Sequence, residues 1–232
     1  MINCTNKEYL AQNLIGPNAL TLLEEVMSNI QLSGAERILD LGCGMGLTLM
    51  YLADHTCASI FAMDLRISTA DNYKRFCECG FENKIIPIHA DANDMPFADV
   101  YFDDAFCIDA YAYFGCDEEY LDKHLAPFVK NGGLIILRIP GQKKELDYLP
   151  DEMAKSWKAE DIDYIRSTDW WRALLQKSSL TEIETITEMS SYEESWNDWL
   201  ATENPYAVSD RAAMQAGARK YMNIIKIVLR RI

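Results

Sequence analysis

The sequence has little positive charge and no long apolar run. Lysine and arginine number 22 against 36 aspartate and glutamate residues, which gives the 232-residue chain a net charge of −14. Nucleic acids and anionic membrane surfaces are bound through basic patches, so neither is an expected partner. No apolar run approaches the roughly 20 residues of a membrane-spanning helix, and the first residues lack a signal-peptide pattern. We therefore expect a cytoplasmic protein without a membrane span.

Cysteine spacings of the kind that bind zinc are also missing. The chain has seven cysteines and three histidines, and no two cysteines are separated by two residues. Cys77 and Cys79 would lie on different faces of a helix, because side chains two positions apart do not face each other. We therefore expect no metal site, and we interpret the cysteines as free thiols in a reducing compartment.

The most informative stretch is an apolar strand pattern that leads into three glycines. Residues 36–41 form the strand pattern, and Asp40 lies near its end. Glycines follow at alternate positions, at Gly42, Gly44 and Gly46. Glycine lets the backbone turn tightly and approach a ligand, and the helix that follows offers unpaired N–H groups at its N-terminus. Strand, glycine turn and helix predict the first half of a nucleotide-binding βαβ unit.

The spacing of these glycines distinguishes between two nucleotide ligands. A dinucleotide fingerprint has its third glycine three residues after the second, and Leu47 occupies that position here. The observed pattern, D-x-G-x-G-x-G, resembles the first motif of class I S-adenosylmethionine (SAM) methyltransferases. This resemblance implies that Asp40, Cys43 and the three glycines surround SAM as the cofactor. An NAD-dependent oxidoreductase and a non-catalytic SAM-binding module remain as alternatives.

Two further acids follow the next two predicted strands. Asp64 ends a strand at 59–63, where a carboxylate can accept both hydroxyls of a ribose, and Leu65 is placed to lie against an adenine. In class I methyltransferases an acid after the third strand accepts from the adenine amine, and the next N–H meets the ring. Asp91 and Ala92 match those positions. These strand ends share the carboxyl edge, where open α/β sheets bind ligands.

The segment after the fourth predicted strand is where such enzymes place the methyl acceptor. The resemblance implies that backbone carbonyls near Ile108 hold the methionine amine of SAM. Asp109, Tyr113 and His89 are the candidates for proton transfer, since their side chains can accept or donate a proton near this edge. Tyr111 and Tyr113 are candidates for an aromatic wall on the substrate side, because aromatic faces favour a sulfonium cation.

All five tryptophans fall within residues 141–218. Acceptor pockets need apolar and aromatic walls, so we interpret this span as containing cap insertions that face the substrate. Trp170 and Trp171 are the candidates for direct contact with the acceptor. Packing inside a core is the alternative explanation for the same residues.

Strands alternate with helices over residues 36–139, and a strand pair with a helical insertion follows. The alternation predicts an α/β, mostly parallel sheet with helices on both faces. The resemblance to class I methyltransferases implies that this sheet is Rossmann-like and seven-stranded, with an antiparallel last strand. The core resembles small-molecule methyltransferases, among them those of ubiquinone and menaquinone biosynthesis and cyclopropane-synthase-like enzymes. The resemblance implies one domain over residues 1–232, with an N-terminal helical segment at 1–33, that methylates a small molecule. The acceptor and the oligomeric state stay open.

Local patterns predict the form of one strand and the position of two helices. Pro87 lacks an N–H for strand pairing, so the third strand, at 84–89, is expected to be short or irregular. A helix is expected at 118–128 and another from Ser209.

Overall fold

The computed structural model describes residues 6–32 and 34–232. The strands are β1 (Arg37–Leu41), β2 (Ser59–Asp64), β3 (Ile85–His89), β4 (Asp104–Ile108), β5 (Leu134–Gln142), β6 (Arg166–Ser167), β7 (Thr181–Glu188) and β8 (Met222–Arg231). The α-helices are α1 (Lys7–Asn13), α2 (Ala19–Met27), α3 (Leu47–His55), α4 (Thr69–Cys79), α5 (Thr168–Leu175), α6 (Tyr192–Leu200) and α7 (Pro205–Ala216).

The strands form one sheet in the order β3-β2-β1-β4-β5-β8-β7. Strands β1 to β5 are parallel, and β8 lies antiparallel between β5 and β7. The predicted fold class is thereby confirmed. The predicted strand number is one too small, because β6 pairs with Gly141 and Gln142 at the far end of β5. A two-residue strand leaves no periodic pattern in the sequence.

Two apolar cores cover the two faces of the sheet. Side chains alternate between faces along a strand, so Ile136 belongs to one core while Ile135 and Leu137 belong to the other. The first core receives α2, α3, α6 and α7, and the second receives α5 and the segment 111–129. The carboxyl ends of β1 to β4 are thereby held between helices on both sides.

Local departures from the sequence expectations have identifiable causes. β3 keeps an unbroken register with β2 through Pro87, because β3 is an edge strand and its missing N–H is not needed there. The helix expected at 118–128 is instead a π-helical turn at Leu121–Leu125 followed by a 3₁₀ turn at Ala126–Phe128. Pro127 removes one helical N–H and its ring crowds the preceding turn, which ends a regular helix.

The last helix also begins earlier than expected. α7 starts at Pro205 rather than at Ser209. The side chain of Asn204 accepts a hydrogen bond from the N–H of Tyr206 at 3.0 Å. An asparagine cap followed by proline at the first helical position is a favourable helix start.

The state of the cysteines differs from the expectation at one position. Among the described residues, Cys43, Cys57, Cys77, Cys107 and Cys116 are free thiols. Cys79 is disulfide-bonded, so the expectation of free thiols is wrong for this residue. No helix in residues 6–32 and 34–232 has both the length and the apolar character to cross a membrane.

Candidate functional site

A cavity of about 690 Å³ lies at the carboxyl ends of the first four strands. Most of its lining follows β1, β2, β3 and β4 and consists of residues 41–48, 63–67, 90–93 and 108–110 with Tyr113 and Phe114. The rest comes from residues 13–17, Ala19, Asn204 and Tyr206. The predicted carboxyl edge is therefore the place where the structure opens a ligand-sized space.

The glycine loop after β1 is tied to β2 by hydrogen bonds. The N–H groups of Gly42 and Cys43 both donate to the carbonyl of Met63, at 2.8 and 3.0 Å. The N–H of Gly44 donates to Oδ2 of Asp64 at 2.8 Å. The loop therefore keeps its shape through the same acid that the sequence assigns to a ribose.

Asp64 still has acceptor capacity for a ligand. Its Oδ1 accepts from the N–H groups of Arg66 and Ile67, at 2.7 and 2.9 Å. A carboxylate oxygen has about two lone-pair sites, and Gly44 uses one of those on Oδ2. Because Asp64 lines the cavity, the remaining site on Oδ2 is placed to accept from a bound hydroxyl.

The three glycines differ in what surrounds them. All three have positive φ values, of 74, 54 and 80° for Gly42, Gly44 and Gly46. A Cβ on Gly42 would collide with the side chain of Ala110, and one on Gly46 would collide with the ring of Phe76. A Cβ on Gly44 would meet only the side-chain tip of Ile15, at 2.9 Å. Gly44 is therefore the glycine of the three whose Cβ space belongs to the cavity.

Asp40 lies beneath this loop and is 1% exposed. Its Oδ2 accepts from the hydroxyl of Thr48 at 2.9 Å, and its Oδ1 has no hydrogen-bond partner among the described residues. Burial raises the pKa of Asp40 to about 7, and the nearby charge of Asp64 acts in the same direction. Asp40 itself does not line the cavity, although Thr48 does. A cation bound above the loop would lower the pKa of Asp40 and favour its charged form.

A buried cysteine and an asparagine complete the loop. Burial raises the pKa of the Cys43 thiol well above its usual range, so the thiol stays protonated and is no nucleophile. The side-chain amide of Asn72, on α4, donates to the carbonyl of Gly44 at 3.0 Å. Asn72 was missed by the sequence reasoning, because its role depends on a contact between distant segments.

The corner beside β2 and β3 combines an acid with an apolar surface. Oδ1 of Asp91 accepts from the backbone and side-chain N–H groups of Asn93, at 2.8 and 2.9 Å. These hydrogen bonds lower the pKa of Asp91, so the carboxylate stays charged and its Oδ2 remains available. Leu65 is 53% exposed and lines the same cavity, as does Ala92. The corner offers an acceptor and an apolar face to a flat ring.

Several predicted substrate and proton-transfer residues do not line the cavity. Tyr111 and Trp171 are fully buried, with ring centroids 5.8 Å apart, and belong to the second core. Trp170 packs against Trp171 and lies under the guanidinium of Arg166. The structure thus places Tyr111, Trp170 and Trp171 in or against the second core and outside the cavity lining. His89 is exposed and is also not part of the lining.

Ile108, Asp109 and Tyr113 do line the cavity, on the side away from the adenine corner. They share that side with residues 13–17 and with Asn204 and Tyr206. Of the cap span 141–218, which is fully described, Asn204 and Tyr206 are the residues in the lining. The N-terminal segment therefore supplies more of this side than the cap does.

The N-terminal segment turns into α2 through Gly16, Pro17 and Asn18. The side chain of Asn18 accepts from the N–H of Leu20 at 3.0 Å and donates to Asp198 at 2.7 Å. It thereby caps α2 and ties the turn to α6. The position of residues 13–17 over the cavity follows from this anchor.

The described residues hold no group of three or more histidine, cysteine, aspartate or glutamate side chains that could bind a metal ion. The site is thus described by its glycine loop, its acids and its apolar surfaces.

Comparison with known proteins agrees with this geometry. Residues 38–133 match a protein family described as a methyltransferase domain. A methyltransferase named GfsG from Streptomyces halstedii is 23% identical over 174 residues, which cover 73% of this chain and 61% of that protein. The match thus spans about three fifths of the curated relative.

Solved structures share the fold at low sequence identity. Geranyl diphosphate C-methyltransferase from Streptomyces coelicolor A3(2) has a TM-score of 0.67 and 13% identity, with 97% of this chain and 76% of that chain covered. Phosphoethanolamine N-methyltransferase 2 from Haemonchus contortus has a TM-score of 0.71 and 17% identity, with 99% of this chain and 58% of that chain covered. The [4+2]-cyclase SpnF has a TM-score of 0.69 and 18% identity, with 91% of this chain and 80% of that chain covered.

These matches confirm the resemblance that the glycine and acid motifs indicate. Residues 38–133 match a methyltransferase domain, and the chain has the Rossmann-like fold of solved small-molecule methyltransferases.

Proposed function

We propose that this protein transfers a methyl group from SAM to a small molecule. The observation that carries the proposal is that Gly44, Asp64 and Asp91, from three successive strand ends, line one cavity. The methyltransferase that is similar in sequence, and the methyltransferases that are similar in fold, support the same reaction class. We also propose that residues 1–232 act as one domain, because α2 and α6 pack in the same core as the glycine loop.

The residues present fit SAM. In this proposal the methionine part lies over Gly44, where a Cβ would fill the space, and Oδ2 of Asp64 accepts from a ribose hydroxyl. Asp91 accepts from the adenine amine, and Leu65 and Ala92 lie against the ring. Bound SAM supplies an electrophilic methyl group, so the chain's own task is to orient the acceptor and exclude water.

The partners and the location of the protein belong to the same proposal. The net charge of −14 supports the absence of a nucleic-acid partner, because such partners require a basic surface. A cytoplasmic location stays a prediction.

Ligand binding tests the proposal directly. We expect calorimetry to show micromolar binding of SAM and of S-adenosylhomocysteine (SAH), and no binding of NAD, because Leu47 stands where the third dinucleotide glycine belongs. Binding of NAD without SAM would support the oxidoreductase alternative instead.

Turnover separates an enzyme from a binding module. We expect SAH to accumulate when SAM and a panel of small acceptors are added. Tight SAM binding with no SAH formed from any acceptor would favour a module that does not methylate, and the similarity in fold to a [4+2]-cyclase makes this a specific second candidate.

Replacing Asp64 by alanine should weaken SAH binding by about 1.5–3 kcal/mol, the usual contribution of hydrogen bonds to a charged group. The variant loses the acceptor for the N–H of Gly44 as well as the one proposed for the ribose. Calorimetry measures the affinity, and a thermal melt without ligand shows whether the variant folds. The exposed loop acid Asp99 provides the control, since Asp99→Ala should leave both unchanged. An unchanged SAH affinity in folded Asp64→Ala would remove this residue from the site.

A further inference from the structure

An ion pair between Asp109, directly after β4, and the buried Arg138, in the middle of β5, is not explained by the cofactor motifs. Arg138 is 1% exposed, and its Nη1 lies 2.6 Å from Oδ1 of Asp109. The contact is an ion pair without hydrogen-bond alignment, and no nitrogen of the guanidinium has a hydrogen-bond partner among the described residues. Apolar side chains of similar volume are often as stable as a buried ion pair. The pair therefore indicates a role other than stability.

The backbone fixes the direction of the Asp109 side chain. Its φ is 70°, in the left-handed region that non-glycine residues rarely adopt, and its N–H donates to the carbonyl of Arg138 at 2.7 Å. Strain of this kind persists where the surroundings impose it, often at functional sites. With Oδ1 held at Arg138, the other oxygen is directed elsewhere.

That other oxygen, Oδ2, lies beside the N-terminal segment. A Cβ on Gly16 would be only 2.9 Å from Oδ2 of Asp109, so a larger residue would crowd the carboxylate. The Asp109 side chain is 34% exposed and lines the cavity. Oδ2 is thus a fixed hydrogen-bond acceptor on the side of the cavity opposite the adenine corner.

The neighbouring Tyr113 keeps its own proton at neutral pH and therefore cannot act as a base. Loss of water and the Asp109 carboxylate raise the pKa of Tyr113 to about 12. Tyr113 is 67% exposed, so solvent screens part of this effect, but the upward direction keeps the phenol protonated. Tyr113 can therefore donate a hydrogen bond at this side of the cavity, and Asp109 is left as the proton acceptor beside it.

The cavity also has few groups that would bind a phosphate. Among its described lining residues Arg66 is the one lysine or arginine, alongside the acids Asp64, Asp91 and Asp109. Phosphate groups are usually held by several cationic side chains or by a metal ion. No metal-binding group of side chains is present in the described residues.

We propose that Asp109, positioned by Arg138, accepts a hydrogen bond from the methyl acceptor, and that the acceptor reacts through an N–H or O–H group and carries no phosphate. This inference rests on the proposed methyltransferase function. The acceptor's lone pair forms the bond to the methyl carbon, and the carbon–sulfur bond breaks with its electrons going to sulfur. The acceptor's proton passes to Asp109 and then to solvent, so charge and atoms balance.

Sinefungin tests the role of Asp109 without knowledge of the acceptor. This SAM analogue has an ammonium group in place of the transferred methyl group, whereas SAH has nothing there. We expect Asp109→Asn to weaken sinefungin binding roughly tenfold or more, as for the loss of a charged hydrogen bond, and to change SAH binding by less than about twofold. Equal losses for both ligands, or no loss for either, would overturn the proposal.

Matched variants make the result specific. Asp91→Asn, at the adenine corner, should weaken both ligands equally, and exposed Asp151→Asn should weaken neither. Wild-type protein that binds neither sinefungin nor SAH would refute the proposed function itself, which is a different outcome from a lost sinefungin preference.

The positioning role of Arg138 has its own readout. We define the sinefungin preference as the ratio of the sinefungin affinity to the SAH affinity. Arg138→Lys keeps a cation near Asp109 and should retain most of this preference, whereas Arg138→Met should lose it. Thermal melting shows whether Arg138→Met folds, and if it does not, the test rests on Arg138→Lys. A folded Arg138→Lys protein that binds sinefungin no better than SAH would reject this role. A folded Arg138→Met protein that keeps the full wild-type preference for sinefungin would also reject it.

Inorganic pyrophosphate probes the predicted exclusion of phosphate. We expect no saturable heat when pyrophosphate is titrated into the SAH complex, with or without Mg²⁺. Saturable binding that Arg66→Gln abolishes would overturn the acceptor class.

Discussion

Replacing Gly44 by valine should abolish SAH binding, with an affinity loss above about 100-fold, and leave a folded protein. Gly44 lines the cavity, and its Cβ position is bordered only by the tip of Ile15, at 2.9 Å. A branched side chain there would occupy the space that the proposal assigns to the methionine part of SAM. The φ of 54° adds strain of about 1–2 kcal/mol for any residue with a Cβ. Calorimetry with SAH and circular dichroism measure the two effects.

Gly132 provides a control for the strain alone. Its φ is 86° and a Cβ there would meet nothing within 4 Å, in the turn that precedes β5 and away from the cavity. We expect Gly132→Val to lower the melting temperature as Gly44→Val does but to bind SAH normally. Normal titration of Gly44→Val with SAH would show that the glycine loop does not contact the ligand.

The cofactor side of the cavity could be predicted because its determinants are local in sequence. Gly44, Asp64 and Asp91 each follow directly after a strand, and parallel strands bring their carboxyl ends to one edge. Their approximate positions therefore follow from the order of strands and helices. The family match over residues 38–133 covers the same region.

The opposite side of the cavity could not be predicted in the same way, because it is assembled from distant segments. Residues 13–17 reach the cavity through the hydrogen bond between Asn18 and Asp198, which are 180 positions apart. Asp109 meets Arg138 because β4 and β5 pair with Ile108 opposite Arg138. A single sequence carries no signal for such pairings.

Aromatic composition does not indicate which residues line the cavity, and the reason is different. Tryptophan suits an acceptor pocket and a packed core equally well, and α5 turns its apolar face toward the sheet. The ring of Trp171 lies in the second core with Tyr111, and no atom of either residue borders the cavity. Core packing therefore accounts for the position of Trp171, and Trp170 packs against it.

Replacing Trp171 by alanine should therefore lower the free energy of unfolding by about 3–5 kcal/mol, the usual cost of emptying a large aromatic site in a core. Trp171 is 0% exposed, and its ring contacts Tyr111 and Trp170. Urea unfolding measures the change. The affinity of the folded protein for SAH should stay within about twofold, because the side chain is outside the cavity lining.

Trp170 is the matched control, since it precedes Trp171 on α5 but is only partly buried. Truncation of a partly buried ring removes fewer contacts and leaves a space that water can enter, so Trp170→Ala should cost less than half as much as Trp171→Ala. The order of the two effects distinguishes core packing from a substrate-facing cap. A cap predicts the reverse pattern, with unfolding free energies near wild type and turnover of an acceptor lost in both variants. That result would return the two tryptophans to the acceptor side.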